Sequence, residues 1–198
     1  VAIASRFKIE EVSRSLPLLD QDGEADDQAR FLHVKIENIN IICLYLPNGN
    51  PAPGPKYDYK INWMKRLIKY TQEIYYSNEP LILGGDFNVI QKSNDCHDVS
   101  KWLNDALYLE ETRTKMKELI NIGLIDSYRL KQPNSTEYSF WDYQAGAWQK
   151  DNGIRIDFLL VSPEIVDILL DVGIDKTLRG EDKPSDHTPV WIEIEKKI

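Results

Sequence analysis

Cysteine is scarce in this chain of 198 residues, and neither of its two cysteines has a setting that invites a bridge. Cys43 lies inside an apolar run and Cys96 in a polar loop. Two residues so placed exclude a disulfide framework and a paired-cysteine zinc site, and they are expected as free thiols in a reducing compartment, the cytoplasm. Long hydrophobic runs are absent too. No stretch approaches the roughly 20 apolar residues of a membrane-crossing helix, and no signal-peptide pattern precedes the first apolar run, so no membrane partner is expected. There is no Walker loop, Rossmann glycine triplet or serine elbow to point to nucleotide, dinucleotide or acyl chemistry. Internal repeats, low-complexity tracts and linkers are likewise missing, and residues 1–198 read as one domain. Positive charge is in deficit. Lys and Arg number 24 against 32 Asp and Glu, the net charge is −8 and the pI is near 5.0. Bulk charge of this sign argues against non-specific nucleic-acid binding, which cations drive. A metal-dependent enzyme, however, concentrates carboxylates around its ion, and a local basic rim is compatible with an acidic whole.

The apolar patterning gives a mixed α/β chain. Residues 1–7 read as a strand, followed by an acidic loop through Asp20, Asp22, Glu24, Asp26 and Asp27. A chain that opens on Val1-Ala2-Ile3-Ala4-Ser5, without Met or lead-in, is expected to be the larger, C-terminal part of a longer domain. Runs at 31–36 and 39–46, separated by Glu37-Asn38, predict a hairpin. The breaker-rich stretch from Pro47 to Pro55 is a loop. Ile61, Met64, Leu67, Ile68 and Ile74 recur at helical spacing and predict an amphipathic helix over 56–77. A buried strand over 80–86 follows, then a polar loop and a helix near 111–121 stopped by Gly123. Strands are predicted at 138–143, 154–161, 172–177 and 189–194, with a short helix starting at Pro163. Consecutive strands without strict alternation with helices predict mixed, mainly antiparallel sheets.

Four apolar segments end in, or carry, polar residues of the kinds used in phosphoryl chemistry. Gly84-Gly85-Asp86-Phe87-Asn88 sets a carboxylate and an amide at a strand end behind glycines that admit a close ligand. An isolated match of this length is equally an aspartate turn capped by asparagine. Ser185-Asp186-His187 places an imidazole beside a carboxylate, able to act as acid, base or phosphate contact; a lone Asp-His pair is more often a surface loop. Arg155 and Asp157 share one face of an apolar strand. They are either a structural ion pair, or Asp157 serves to fix the His187 imidazole. Tyr45 and Asn48 close the fourth segment. The aromatics Tyr138, Phe140, Trp141, Tyr143 and Trp148 suit stacking on a sugar or base, though alternation alone would bury half of them. Lys150, in a turn, is a candidate phosphate contact.

Taken in order, Tyr45-Leu46-Pro47-Asn48-Gly49, Leu83-Gly84-Gly85-Asp86-Phe87-Asn88, Tyr138-Ser139-Phe140-Trp141-Asp142-Tyr143, Asn152-Gly153-Ile154-Arg155-Ile156-Asp157 and Pro184-Ser185-Asp186-His187-Thr188-Pro189 resemble the bacterial branch of the exonuclease III / AP-endonuclease family over essentially the whole chain. The resemblance implies a four-layer α/β sandwich of the DNase I-like kind, two sheets face to face with helices outside. It implies Mg²⁺-dependent incision (with Mn²⁺ as a substitute) on the 5′ side of abasic sites, with 3′→5′ exonuclease and 3′-end-cleaning activities. Double-stranded DNA bearing abasic sites or damaged 3′ ends is the implied substrate, and a monomer the implied state of the complete protein. By position, Asp86 would activate the attacking water, Asn88 and His187 would contact the phosphate, and Asp157 would orient His187. Tyr45 with Asn48 would hold the phosphate, Asp186 and Asp86 would lie by the metal, and Phe140 and Trp141 would line the sugar pocket. The family's Asn-bearing first strand and principal metal-binding Glu have no counterpart here, so the isolated chain is expected to be weakly active or inactive. A sister phosphoesterase acting on RNA, an inositol phosphate or a phospholipid headgroup is the alternative, and a binding module without a metal site is the non-enzymatic one.

Overall fold

The computed structural model describes residues 1–19 and 26–196. Strands β1 (Glu10–Ser13), β2 (Phe31–Ile36), β3 (Ile39–Tyr45), β4 (Leu81–Asp86), β6 (Asp157–Val161) and β5 (Ile125–Asp126) form one six-stranded sheet in the order β1-β2-β3-β4-β6-β5. Strands β7 (Leu169–Ile174) and β8 (Val190–Ile194) pair as a second sheet. The hairpin joining β2 and β3 turns at Glu37 and Asn38, both with positive φ, the geometry that suits the twist of a two-residue hairpin loop. The β3–β4 pair is parallel, which requires a crossover, and helix α1 (Pro55–Tyr75) supplies it. Pro55 opens α1 where a missing N–H costs nothing, and Asp58 sits in its positive first turn.

Ile61, Met64 and Leu67 of α1 pack on Ile42, Leu44, Leu81 and Leu83, together with Met116 and Leu119 of α2 (Glu110–Ile120). On the other face Ile82 and Val161 meet Ile192 and Ile194 of the second sheet and Ile165 of the short helix α4 (Pro163–Val166). Helices α1 and α2 therefore cover one face of the large sheet, and the small sheet with the short helix α4 the other, the layered two-sheet α/β arrangement expected. No helix of the described residues is long and apolar enough to cross a membrane.

Three expectations need correction. Residues 1–7 form no strand: Ser5 Oγ accepts from the Phe7 amide, most of the segment is exposed, and no strand of the described residues pairs with it. Residues 138–143 are also not a strand. Phe140 alone makes bridges, to Ile154 and His187, because the segment is a strut between two loops with its amides spent on Ile154 and Asp186 carbonyls. Arg155 does not partner Asp157. It is buried against Asp95 (2.8 Å) and Asp126 (2.8 Å), and Arg129 of the unforeseen helix α3 (Ser127–Lys131) joins Asp95 at 2.5 Å. Two cations against two carboxylates make a self-neutral buried cluster that ties the 93–95 loop to β5 and α3. Of the acidic loop, Asp20, Asp22 and Glu24 lie outside the described residues.

Candidate active site

Strand register builds the site. Tyr45 of β3 lies opposite Asp86 of β4, and Asp86 opposite Asp157 of β6, so three polar residues form one row across adjacent strand ends. The β3–β4 approach is tight at this point. Gly85 has φ +141, and a Cβ there would lie 2.0 Å from the Leu44 carbonyl oxygen, so only glycine brings the backbone past this point to Asp86. The Asp86 carboxylate then folds back on its own loop. Oδ1 accepts the Asn88 amide at 2.8 Å and Oδ2 accepts Asn88 Nδ2 at 2.9 Å. Asn88 takes the left-handed φ of +47 that this turn demands and asparagine tolerates.

The Thr188–Ser139 and Trp141–Asp186 backbone hydrogen bonds fasten the loop before β8 across this row, which brings His187 in. Its Nδ1 lies 2.8 Å from Asp157 Oδ2, and its Nε2 faces Asp86 Oδ2 at 3.9 Å. The Phe140 ring packs edge-on against the imidazole, centroid to centroid 5.0 Å. Behind Asp157 stands Ser139, fully buried, whose hydroxyl donates to the same Oδ2 at 2.6 Å and accepts from the Ile156 and Asp157 amides.

Burial and mutual charge tune these groups. Burial first, and the neighbouring Asp157 second, push the Asp86 carboxyl up to about 7; His187, the Asn88 amide and Lys60 oppose the rise. For His187 burial is the largest influence and pulls the value down. The hydrogen bond and charge of Asp157, with Asp86 and Asp186, together outweigh it and carry the imidazole up to about 9. At neutral pH the ring is a cation whose Nδ1–H is held by Asp157, leaving Nε2–H aimed at the gap before Asp86. The 3.9 Å separation is too long for a hydrogen bond.

Other anticipated residues fall elsewhere. Asn88 is buried and has both amide N–H bonds engaged, by Asp86 and by the Leu46 carbonyl at 2.9 Å, so it orients Asp86 and offers no donor to a phosphate. Asn48 is exposed; one N–H goes to Asn88 Oδ1 at 3.1 Å, and its oxygen accepts from Asn50. Tyr45 stands at the rim, 44% exposed, with the Arg30 guanidinium 4.8 Å from its ring centroid. Trp141 is fully buried, its indole N–H on Asp151 and its ring against Trp148; it supports the wall from behind and cannot touch a sugar. Lys150 donates to the Ala145 carbonyl and closes its own turn. Asp186 is half-buried and bears on His187 through its charge.

Two further residues at the site were not anticipated. Ser139 carries no sequence signal beyond its place in an aromatic stretch. Lys60 does: it lies four residues before Met64 and seven before Leu67, on the buried stripe of α1, and a lysine there must find acceptors. No group of three His, Cys, Asp or Glu side chains among the described residues is arranged to hold a metal. The donors present, Asp86 and Asp186, are hard carboxylates beside a further carboxylate, Asp157. That set suits the one or two carboxylates by which Mg²⁺ is usually held, water and phosphate oxygens completing its shell.

The chain is similar to known nucleases over most of its length. Exodeoxyribonuclease III of Haemophilus influenzae is 27% identical over 98% of this chain and 75% of its own length. The exodeoxyribonuclease of Bacillus subtilis is 30% identical over 84% of this chain, and the match takes in 64% of that protein. Among solved structures, the 3′ phosphatase NExo from Neisseria bound to a product DNA hairpin superposes with a TM-score of 0.90 at 32% identity. An AP endonuclease from Archaeoglobus fulgidus gives 0.89, also at 32%. Each structure covers 97% of this chain, which spans 73% of theirs. The profile of the endonuclease/exonuclease/phosphatase family matches residues 1–187, and with relatives of the exodeoxyribonuclease III and AP-endonuclease type the chain belongs to this family of hydrolases.

Proposed function

We propose that this chain serves a Mg²⁺-dependent DNA-repair phosphodiesterase that incises DNA on the 5′ side of abasic sites. We further propose that it resects strands 3′→5′ and clears damaged 3′ ends. The observation that carries the reading is the gap between Asp86 and His187 Nε2, with Asp157 and Ser139 fixing the imidazole from behind. A phosphodiester placed there meets a carboxyl and an imidazole of complementary protonation. Asp86 accepts the proton of a water attacking phosphorus; burial and Asp157 raise its pKa, and a bound cation would draw it back down. His187, cationic up to about 9, donates Nε2–H to a non-bridging oxygen as negative charge grows there. Tyr45 and the exposed Asn48 amide hold the phosphate from the rim, and Phe140 offers an apolar edge to a sugar without its base. The family depends on a divalent metal, and Asp86 and Asp186 would hold it here as Mg²⁺; when bound it would neutralise phosphate charge. The DNA hairpin carried by the Neisseria structure and the names of the bacterial relatives favour DNA over other phosphodiesters.

The test is a labelled duplex with one abasic site, beside duplexes ending in 3′-phosphate and in 3′-hydroxyl, incubated in Mg²⁺ and in EDTA. EDTA-sensitive cleavage on the 5′ side of the lesion is expected. A protein that leaves all three substrates intact, yet hydrolyses RNA, an inositol phosphate or a phospholipid headgroup, would refute the reading.

A further inference from the structure

Lys60 is 0% exposed, on a buried helix stripe that it shares with Tyr57, Met64, Leu67 and Thr71. A lysine so deep is costly unless its ammonium is bonded. Lys60 Nζ donates to the Asn88 carbonyl at 2.7 Å and to the Asn48 carbonyl at 3.0 Å. These two residues carry the side-chain ladder that ends on Asp86: Asn48 Nδ2 donates to Asn88 Oδ1, and Asn88 Nδ2 donates to Asp86 Oδ2. Room for the lysine is built in from the other side. Gly49, at φ +90, faces the lysine stem so closely that a Cβ would lie 2.6 Å from Lys60 Cδ. The loop carrying Asn48 and the turn carrying Asn88 come from different strands, and this one ammonium ties them together.

We infer that Lys60 is a positioning residue, which by clamping the Asn48 and Asn88 carbonyls sets the amide ladder that aims the Asp86 carboxylate at the gap before His187. The inference rests on the proposed phosphodiesterase reading for its effect on turnover, but the clamp itself is a statement about geometry. It also assigns Gly49 a purpose, since the glycine in the turn after β3 clears the path of the lysine stem. Burial draws the ammonium down to about 7 against the pull of Asp105 and Asp86, which marks how little water reaches it.

The direct test is Lys60→Met, which keeps the aliphatic stem and removes the donor. Side-chain amide resonances of Asn48 and Asn88 are followed by ¹H–¹⁵N NMR, folding by circular dichroism and melting, and turnover on the abasic duplex. Expected are a folded protein, collapse of the Asn88 side-chain resonances toward free-amide positions, and a fall in kcat of roughly 10- to 100-fold with KM within about twofold, the size seen when a group behind a reacting ligand is lost. Unchanged Asn88 resonances overturn the inference, and so does a disordered ladder with unchanged kcat. If the unsubstituted protein cleaves no phosphodiester, the functional reading falls, while the Asn88 resonances still decide the clamp. Should Lys60→Met fail to fold, the lysine ammonium spectrum of the unsubstituted protein decides it: a protected Lys60 resonance persisting at about pH 5, well below the value of about 7 to which burial draws it, supports the clamp, and its absence there refutes it.

Discussion

Asp157→Asn removes one charge from the site and almost nothing from its shape. The carboxylate oxygen that faces His187 Nδ1 at 2.8 Å and Ser139 Oγ at 2.6 Å is replaced by an amide of the same size. What changes is the imidazole. Asp157 supplies both the hydrogen bond and the largest charge raising His187, so without it burial prevails and only Asp86 and Asp186 remain to oppose it. The ring should then titrate near or below its ordinary 6.5, no longer at about 9. At about 1.4 kcal/mol for each tenfold change, the native rise is worth roughly 3 kcal/mol, and discounting for solvent screening brings it to about 2. A raised pKa stabilises the fold fully below 6.5 and loses that contribution as pH climbs through 9. Asp157→Asn should therefore cost about 2 kcal/mol at pH 6, and progressively less between pH 6.5 and 9. The chain has only three histidines, so ring-proton NMR can follow His187 beside His33 and His97, with urea unfolding at pH 6 and pH 10 as the second measurement. An imidazole still titrating near 9 in the variant, or an equal loss of stability at both pH values, would refute the reasoning.

Ser139→Ala should cost about 1–3 kcal/mol by leaving the Ile156 and Asp157 amides short of an acceptor, and it should lower turnover by freeing Asp157; an unaffected kcat would make Ser139 purely structural. His33 is buried between Tyr70 (2.8 Å) and Asn40 (3.0 Å), and burial holds its pKa below 6.5, so its contribution is present above that value and lost as pH falls beneath it. The urea midpoint should drop from pH 7 to pH 5, and less so in His33→Gln; identical drops in the two proteins would count against it. Asp95→Asn leaves Arg129 and Arg155 short of a counter-charge in the interior and should destabilise by roughly 3–5 kcal/mol, measured by denaturant unfolding; a loss under about 1 kcal/mol would show that Asp126 alone suffices.

The parts of the fold that could be read in advance are those with a strong period or a strong breaker. The β2–β3 hairpin, α1, β4 and α2 each show one, and each forms within a few residues of its expected bounds. The failures share a cause. Residues 1–7 and 138–143 have apolar content suited to a strand, but a strand also needs a neighbour, which local sequence does not disclose. Helix α3 has five residues and depends on Asp126 capping the Arg129 amide, too short a pattern for periodicity to reveal. At the site, the convergence of Tyr45, Asp86 and Asp157 was legible because polar residues closing apolar strands share a sheet edge. The roles of Asn88, Trp141 and Arg155 were not, because each depends on which of several partners its side chain reaches across the fold.

Two clusters of buried charge in this chain show how structural and functional electrostatics differ. Around Asp95 each charge has a close opposite: Arg129 at 2.5 Å, Arg155 at 2.8 Å, and Asp126 closing the set at 2.8 Å. Every charge of the set is matched, although the buried Arg129 Nε–H finds no acceptor of its own among the described residues. Around Asp86 the arrangement is incomplete. His187 is satisfied on its Asp157 side and open on the other, where Asp86 stops at 3.9 Å, although both side chains carry charges that would gain from closer contact. Each side of the gap has its own anchor: Asp86 is held by Asn88, His187 by Asp157, and Asp157 in turn by Ser139. The carboxyl and the imidazolium thus face each other across 3.9 Å, each held by partners on its far side. The overall charge of −8 then ceases to be an argument against a phosphodiester, since the site presents its local donors through a few anchored side chains and not through bulk charge.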